Sequence, residues 1–196
     1  GDGDLDLVAA GNNAGGRLDK YLNNGAGGFS AGVASGTGLD ATTLSMGDID
    51  GDGDLDLLAV GTDAGTRRGH KYMNDGVGNF GAPANLPRGF YYGAIALGDL
   101  DADGDLDLMH AGNDDTFVDR CERYLNDGSG NFVSGVSVDA GKASPSVSLG
   151  DLDSDGDLDL FVSGAATLRF HKNDGAATFG PGTNFGSPGN YTGASL

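Results

Sequence analysis

The chain has 196 residues and a formal charge of −18 at pH 7, from 11 Lys and Arg against 29 Asp and Glu. A surface this acidic repels nucleic-acid backbones and anionic membranes and suits metal cations. One cysteine, Cys121, excludes an intrachain disulfide, and no apolar run approaches the ~20 residues of a membrane-spanning helix.

The first predicted element is a short apolar strand, Leu5–Ala10, entered from an Asp-rich turn that keeps Asp2, Asp4 and Asp6. A second strand leads into KYLNNGAGGF, where Asn-Asn-Gly signals a hairpin because these residues tolerate positive φ. The pair then returns three times: Leu55–Val60 before KYMNDGVGNF, Leu106–Ala111 before RYLNDGSGNF, and Leu158–Ser163 before FHKNDGAATF. The closing aromatics Phe29, Phe80, Phe132 and Phe179 lie 51, 52 and 47 residues apart. A period of this length implies copies of one supersecondary unit. A weaker third strand, such as Phe132–Val138, follows each Phe. A fourth precedes the next Asp-rich turn, at Thr42–Met46, Ala94–Leu97, Ser146–Leu149 and Thr192–Leu196.

No segment keeps a 3.6-residue apolar period, so the chain reads as all-β, with four antiparallel strands per repeat. That count matches a β-propeller, or a propeller fragment, of about four four-stranded blades. The chain is read as one repeat domain, 1–196, with approximate repeats 1–40, 41–92, 93–145 and 146–196. The last strand would either clasp the first repeat or belong to a longer array, and the longer array is the favoured reading.

Three full turns share the pattern D-x-D-x-D-G-D-L-D: Asp48, Asp50, Asp52, Asp54, Asp56; then Asp99, Asp101, Asp103, Asp105, Asp107; then Asp151, Asp153, Asp155, Asp157, Asp159. With the partial first turn they hold 18 of the 29 acidic residues, too concentrated for a generic solvating surface. Oxygen ligands at positions 1, 3 and 5, with Gly at position 6, are how an EF-hand starts to wrap calcium. An EF-hand closes with Glu at position 12, where this chain has Ala59, His110 and Val162. Asp at position 9 closes the loop instead. The position-7 side chains, Asp54, Asp105 and Asp157, are expected to point outward, leaving their carbonyls to the ion. Two carboxylates ~4 Å apart repel by about 4 kcal/mol at an effective dielectric of about 20, so the cluster requires a cation. Ca2+ at three sites, with a partial fourth, is the expected cofactor. Zinc and copper do not suit loops without His or Cys.

These loops, with Phe80-Gly81-Ala82-Pro83, resemble the FG-GAP or VCBS repeats of integrin α-subunit propellers and bacterial surface proteins. The resemblance implies loops joining the innermost strand of each blade to the next strand, with calcium on one rim. It implies Asp48, Asp50, Asp52, Asp56 and their equivalents as side-chain ligands. It also places the remaining connections, and the basic residues, toward the opposite rim. There Arg67, Arg68, Arg88, Phe90, Tyr91 and Tyr92 form the expected partner surface, as aromatics beside Arg anchor interfaces. The implied function is an extracellular or cell-surface structural and adhesion module that binds a protein or a cell-surface glycan, within a larger multi-repeat protein or assembly. A lectin is the alternative, and a polysaccharide-active enzyme the second. No catalytic motif is recognised: His70, His110 and His171 read as structural or exposed, and Cys121 as a passive loop thiol.

Overall fold

The computed structural model describes residues 3–11, 16–37, 39–139, 146–164 and 167–186, with only the backbone of 36, 37, 41, 42 and 92. These residues form four successive antiparallel meanders and no helix. The first sheet holds β1 (Leu7–Gly11), β2 (Arg17–Tyr21) and β3 (Val33–Thr37). The second holds β4 (Asp40–Gly47), β5 (Asp56–Asp63), β6 (Thr66–Tyr72) and β7 (Ala84–Asn85). The third holds β8 (Tyr91–Gly98), β9 (Asp107–Asn113), β10 (Asp119–Tyr124) and β11 (Val136–Asp139). The fourth holds β12 (Ser146–Gly150), β13 (Asp159–Gly164), β14 (Thr167–His171) and β15 (Thr183–Phe185).

Within each four-stranded sheet the spatial order follows the chain order. The leading strands β4, β8 and β12 adjoin one another, and β1 meets β4, which makes the arrangement propeller-like. The first sheet is three-stranded among the described residues, and the expected strand at Thr192–Leu196 lies outside them.

The apolar runs explain this stacking. Side chains alternate between the two faces of a strand, so a run such as Leu57-Leu58-Ala59-Val60 is apolar on both. Leu57 and Ala59 pack with Leu18, Leu39 and Tyr72 against the first sheet. Leu58 and Val60 pack with Ile95, Leu108 and Tyr124 against the third. Met109 and Ala111 repeat this toward Leu160 and Val162 of the fourth. β5 and β9 are therefore buried on both faces, and each ties its own sheet to the sheets on either side.

The third strands are shorter than expected. Phe132 makes only an isolated bridge to Asn126, and regular pairing resumes at Val136. β7 has two residues because Pro83 and Pro87, which offer no amide donor, flank it. Among the described residues no helix is long and apolar enough to cross a membrane.

Candidate metal centres

Each Asp-rich loop joins the leading strand of a sheet to its second strand: Asp48–Asp56 between β4 and β5, Asp99–Asp107 between β8 and β9, Asp151–Asp159 between β12 and β13. The backbone turns left-handed at position 4 (Gly51, Ala102, Ser154) and again at position 6 (Gly53, Gly104, Gly156). These reversals curl the loop around its first residue. Asp48 accepts N–H donors from Gly51 at 2.8 Å and Gly53 at 2.9 Å. Asp99 accepts from Asp103 and Gly104, and Asp151 from Ser154, Asp155 and Gly156.

The aspartate at position 9 closes the turn from the start of the next strand. Asp56, Asp107 and Asp159 are fully buried. One oxygen of each accepts the N–H at position 2, from Ile49, Leu100 or Leu152. The other accepts the N–H of the hairpin asparagine, Asn74, Asn126 or Asn173. Asp6 makes the same hairpin bond with Asn23 at 2.8 Å, so the partial first loop keeps this part of the design. Asp2 lies outside the described residues.

The folding brings three carboxylates together in each full loop: Asp48, Asp50 and Asp56; Asp99, Asp101 and Asp107; Asp151, Asp153 and Asp159. One oxygen from each member lies within 4.8 Å of those of the other two. Position 5 is outside these trios: Asp52, Asp103 and Asp155 each accept the N–H of position 7 instead. Asp54, Asp105 and Asp157 lean toward the hairpin glycines Gly76, Gly128 and Gly175, where a Cβ would meet their Oδ2 at 2.6, 2.6 and 2.7 Å. Asp4 stands the same way against Gly25. Rather than pointing outward, the position-7 carboxylates pack on the hairpin.

In the first two full loops, burial and then neighbouring carboxylates oppose the charged form of trio members. Burial pushes the Asp107 carboxyl up to about 6 against the two N–H donors that favour its charge, and Asp101 and Asp103 push the same way. Asp56 is raised by burial and by Asp50 and Asp52. Asp101 is raised by burial and by its neighbours Asp103 and Asp99, and its Oδ1 is buried without a hydrogen-bond partner. In the third loop Lys172 lies 2.5 Å from Asp153 and holds that carboxyl below its ordinary range. An all-carboxylate donor set with an orphaned buried oxygen fits a hard divalent cation.

In the sequence the hairpin asparagines read as turn formers only. Their side-chain amides donate to the carbonyls of Leu5, Leu55, Leu106 and Leu158 at the mouth of each loop. Asn126 also reaches Ile49 O at 2.7 Å and Asn173 reaches Leu100 O at 2.8 Å, each in the loop of the preceding sheet. Their recurrence in every repeat was the available signal.

Several expectations for the other end need correction. Phe90 is fully buried against the His110 ring, with centroids 4.1 Å apart, so it leaves the partner surface. Arg88 pairs with the buried Asp114 at 3.0 Å and Glu122 at 3.3 Å, which Arg120 also binds. Arg67 stacks over Phe117 at 4.4 Å and near Tyr91 at 5.6 Å. Arg68 lines an adjoining cleft. The Tyr92 side chain lies outside the described residues. The basic residues are not confined to that end. Lys20 and Lys71 donate to the hairpin carbonyls of Gly78 and Gly130 in the following sheet, and Lys172 sits at a metal loop. Cys121 is fully buried within β10, not in a loop, and burial raises its thiol pKa.

Comparison with known proteins agrees with this repeat geometry. The FG-GAP-like repeat matches residues 1–59 and 112–162, more than half of the chain. The chain belongs to the FG-GAP-like repeat family. In fold, this FG-GAP-like chain is similar to an Agrocybe aegerita lectin whose structure describes specific recognition of non-reducing terminal N-acetylglucosamine. The TM-score is 0.63 at 22% identity, covering 91% of this chain and 48% of the lectin chain. The FG-GAP-like chain thus spans about half the length of that protein, and the likeness bears on fold alone. No curated protein matches it.

Proposed function

We propose that the chain is a calcium-stabilised β-propeller, or part of a larger one, acting as an extracellular binding module rather than an enzyme. The observation that carries this reading is the threefold recurrence of aspartate trios with oxygens within 4.8 Å. Asp48, Asp50 and Asp56 would hold one ion, with Asp99, Asp101, Asp107 and Asp151, Asp153, Asp159 as the second and third sets. A bound divalent ion would supply the positive charge that lets these carboxylates stay ionised together. The loop's own residues do the rest. Position 1 curls the turn, position 9 pins it to the strand and hairpin, and in the third and fourth sheets the hairpin asparagine ties it to the preceding sheet. Millimolar extracellular calcium suits sites of this open, weakly selective kind. The likeness to 48% of a longer propeller-like chain supports membership in a larger ring.

The non-catalytic reading is supported by the state of the nucleophile and base candidates. Cys121 and His110 are fully buried, and His171 is buried between Gly180 O at 2.9 Å and Asp139 at 3.2 Å. Turnover screening on polysaccharides tests the enzymatic rival.

Thermal melting with saturating calcium and with excess chelator tests the main reading. An ion at about 100 times its Kd adds about 2.7 kcal/mol per site. For a chain of this size about 1 kcal/mol shifts Tm by roughly 2–4 °C, so the expected rise is about 10 °C or more. A Tm indifferent to both reagents sinks the proposal.

A second reading, glycan binding, is favoured by the exposed Phe117 held beside Arg67 and Tyr91. A glycan array separates it from protein adhesion.

A further inference from the structure

We infer that the cleft between the second and third sheets, at the end away from the Asp loops, binds an acidic saccharide. Its ligand is a uronate-bearing sugar whose carboxylate seats on Arg68 and Arg67 and whose C–H face lies on Phe117. This deepens the binding-module reading and rests on it, but it uses none of the calcium residues.

The cleft is about 410 Å³ and is walled by Arg67, Arg68, Asn85, Arg88 and Asp115. In a chain of charge −18, three guanidinium groups face one carboxylate there. Arg88 is committed to Asp114 and Glu122. Arg67 gives one terminal nitrogen to Asn113 at 3.0 Å and holds the other 4.0 Å from the exposed Asp115 carboxylate, while its Nε is buried with no hydrogen-bond partner. Among the described residues no carboxylate lies within ion-pair distance of Arg68. A ligand carboxylate supplies the partner that Arg68 lacks and competes with the loosely held Asp115 for Arg67, because a guanidinium donates paired N–H bonds to it.

A second hollow, about 310 Å³, adjoins the first and shares Arg67 as its wall, with Tyr91 and Phe117 beyond it. Phe117 is 77% exposed and has a left-handed backbone, φ 61°. For a residue other than glycine that conformation costs about 1–2 kcal/mol. Asp114 imposes it: its carbonyl accepts the Phe117 N–H at 2.9 Å, and its carboxylate accepts from Thr116 and Val118. The fold thus pays to hold an aromatic ring out of the core and over Arg67. The opposite wall is rigid as well. A Cβ on Gly89 would sit 2.3 Å from Arg68 N, and Leu86 N–H donates to Gly69 O at 2.8 Å. A preformed wall lowers the ordering cost of binding.

A pyranose uronate combines the two features offered, a carboxylate and a flat C–H face. Two hollows sharing one arginine suit two consecutive rings. An acidic peptide brings the carboxylate without the flat face, and a neutral sugar leaves Arg68 without a carboxylate partner. The overall negative charge repels such a ligand at long range, but beyond ~8 Å this is screened at physiological salt.

The test is calorimetric titration of the whole chain, in millimolar calcium, with digalacturonate and diglucuronate, their carboxyl-reduced counterparts, and tetra-aspartate. At least one uronate disaccharide is expected to bind, and its reduced counterpart about tenfold or more weaker, as expected for a charge-assisted contact. Arg68→Ala should weaken binding by about tenfold and Phe117→Ala by about threefold to tenfold. Both variants should keep the wild-type calcium-dependent melting, which shows that they fold. Equal binding of the reduced sugar, an unaffected Arg68→Ala, or tighter binding of tetra-aspartate overturns the inference. So does the absence of uronate binding by a chain whose melting still responds to calcium, an outcome that leaves the calcium reading intact.

Discussion

Ala102 and Ser154 occupy the left-handed turn position that Gly51 fills in the second sheet's loop, with φ of 61° and 64°. Both are exposed, so their side chains recover little packing energy for the strain. Ala102→Gly or Ser154→Gly should therefore stabilise the chain by about 1 kcal/mol, read as a Tm rise of roughly 2–4 °C. An unchanged or lower Tm refutes the strain argument. His110 is a different case. Its ring is fully buried with neither nitrogen hydrogen-bonded, and burial drives its pKa down to about 3. The unfolded chain binds this proton first as pH falls. Stability present above about 6.5 is thus lost progressively down to about 3, by up to about 1.4 kcal/mol per pH unit. His110→Met should remove that dependence. The stability difference between variant and wild type should widen in the variant's favour as pH falls from 7 to 4. A pH-independent difference defeats the prediction. Neither feature shows in the sequence, where Ala102 is an unremarkable loop residue and His110 ends an apolar run.

At the scale of elements, the strands were legible because buried strands leave a short apolar run bounded by glycine. Leu55–Val60 became β5 and Leu106–Ala111 became β9, displaced by a few residues because pairing extends past the apolar segment. The third strands were less legible, since Phe132 begins with an isolated bridge and prolines cut β7 short. The loop pattern displayed its aspartates but not their division of labour. Position 5 looks like a side-chain ligand in sequence and position 7 like an outward carboxylate, yet position 5 accepts the N–H of position 7, and position 7 packs on the hairpin. The hairpin asparagine is the element-level device that sequence periodicity did not interpret. Asn126 is buried and donates to carbonyls in the Asp loops of two different sheets, whereas Asn74 donates one exposed bond, to Leu55 O, and accepts one within its own hairpin from Gly78 N–H. Asn126→Ala should cost about 2 kcal/mol, and Asn74→Ala about 1 kcal/mol or less. Denaturant unfolding of both variants checks this, and equal losses would contradict the inter-sheet role of Asn126.

For the molecule as a whole, the charge of −18 works against a compact chain. Calcium in the loops would offset part of it locally, where the carboxylates are closest. Salt offsets it generally, as the screening length shrinks from about 30 Å at 0.01 M to about 8 Å at 0.15 M. Adding NaCl over that range should raise the Tm of the chelated protein by more than it raises that of the calcium-loaded protein. Equal salt responses would show that the loops are not the main seat of repulsion. The basic residues are not confined to the opposite rim, although Arg67, Arg68 and Arg88 do lie there. Lys20, Lys71 and Lys172 lie among the hairpins and metal loops, where they bridge sheets or neutralise an aspartate.

The repeat, the strand class and the oxygen-rich loops are local properties, written in spacing and residue type, so the sequence by itself determined them. Which carboxylates converge was not local. It depends on two left-handed reversals in each loop and on a strand that carries the ninth residue back to the first. The same holds for the burial of Phe90 and His110 and for the company that Arg67 keeps with Phe117. Phe90 and His110 meet across the third sheet and Arg67 and Phe117 across two sheets, and this packing was decided only by the tertiary structure.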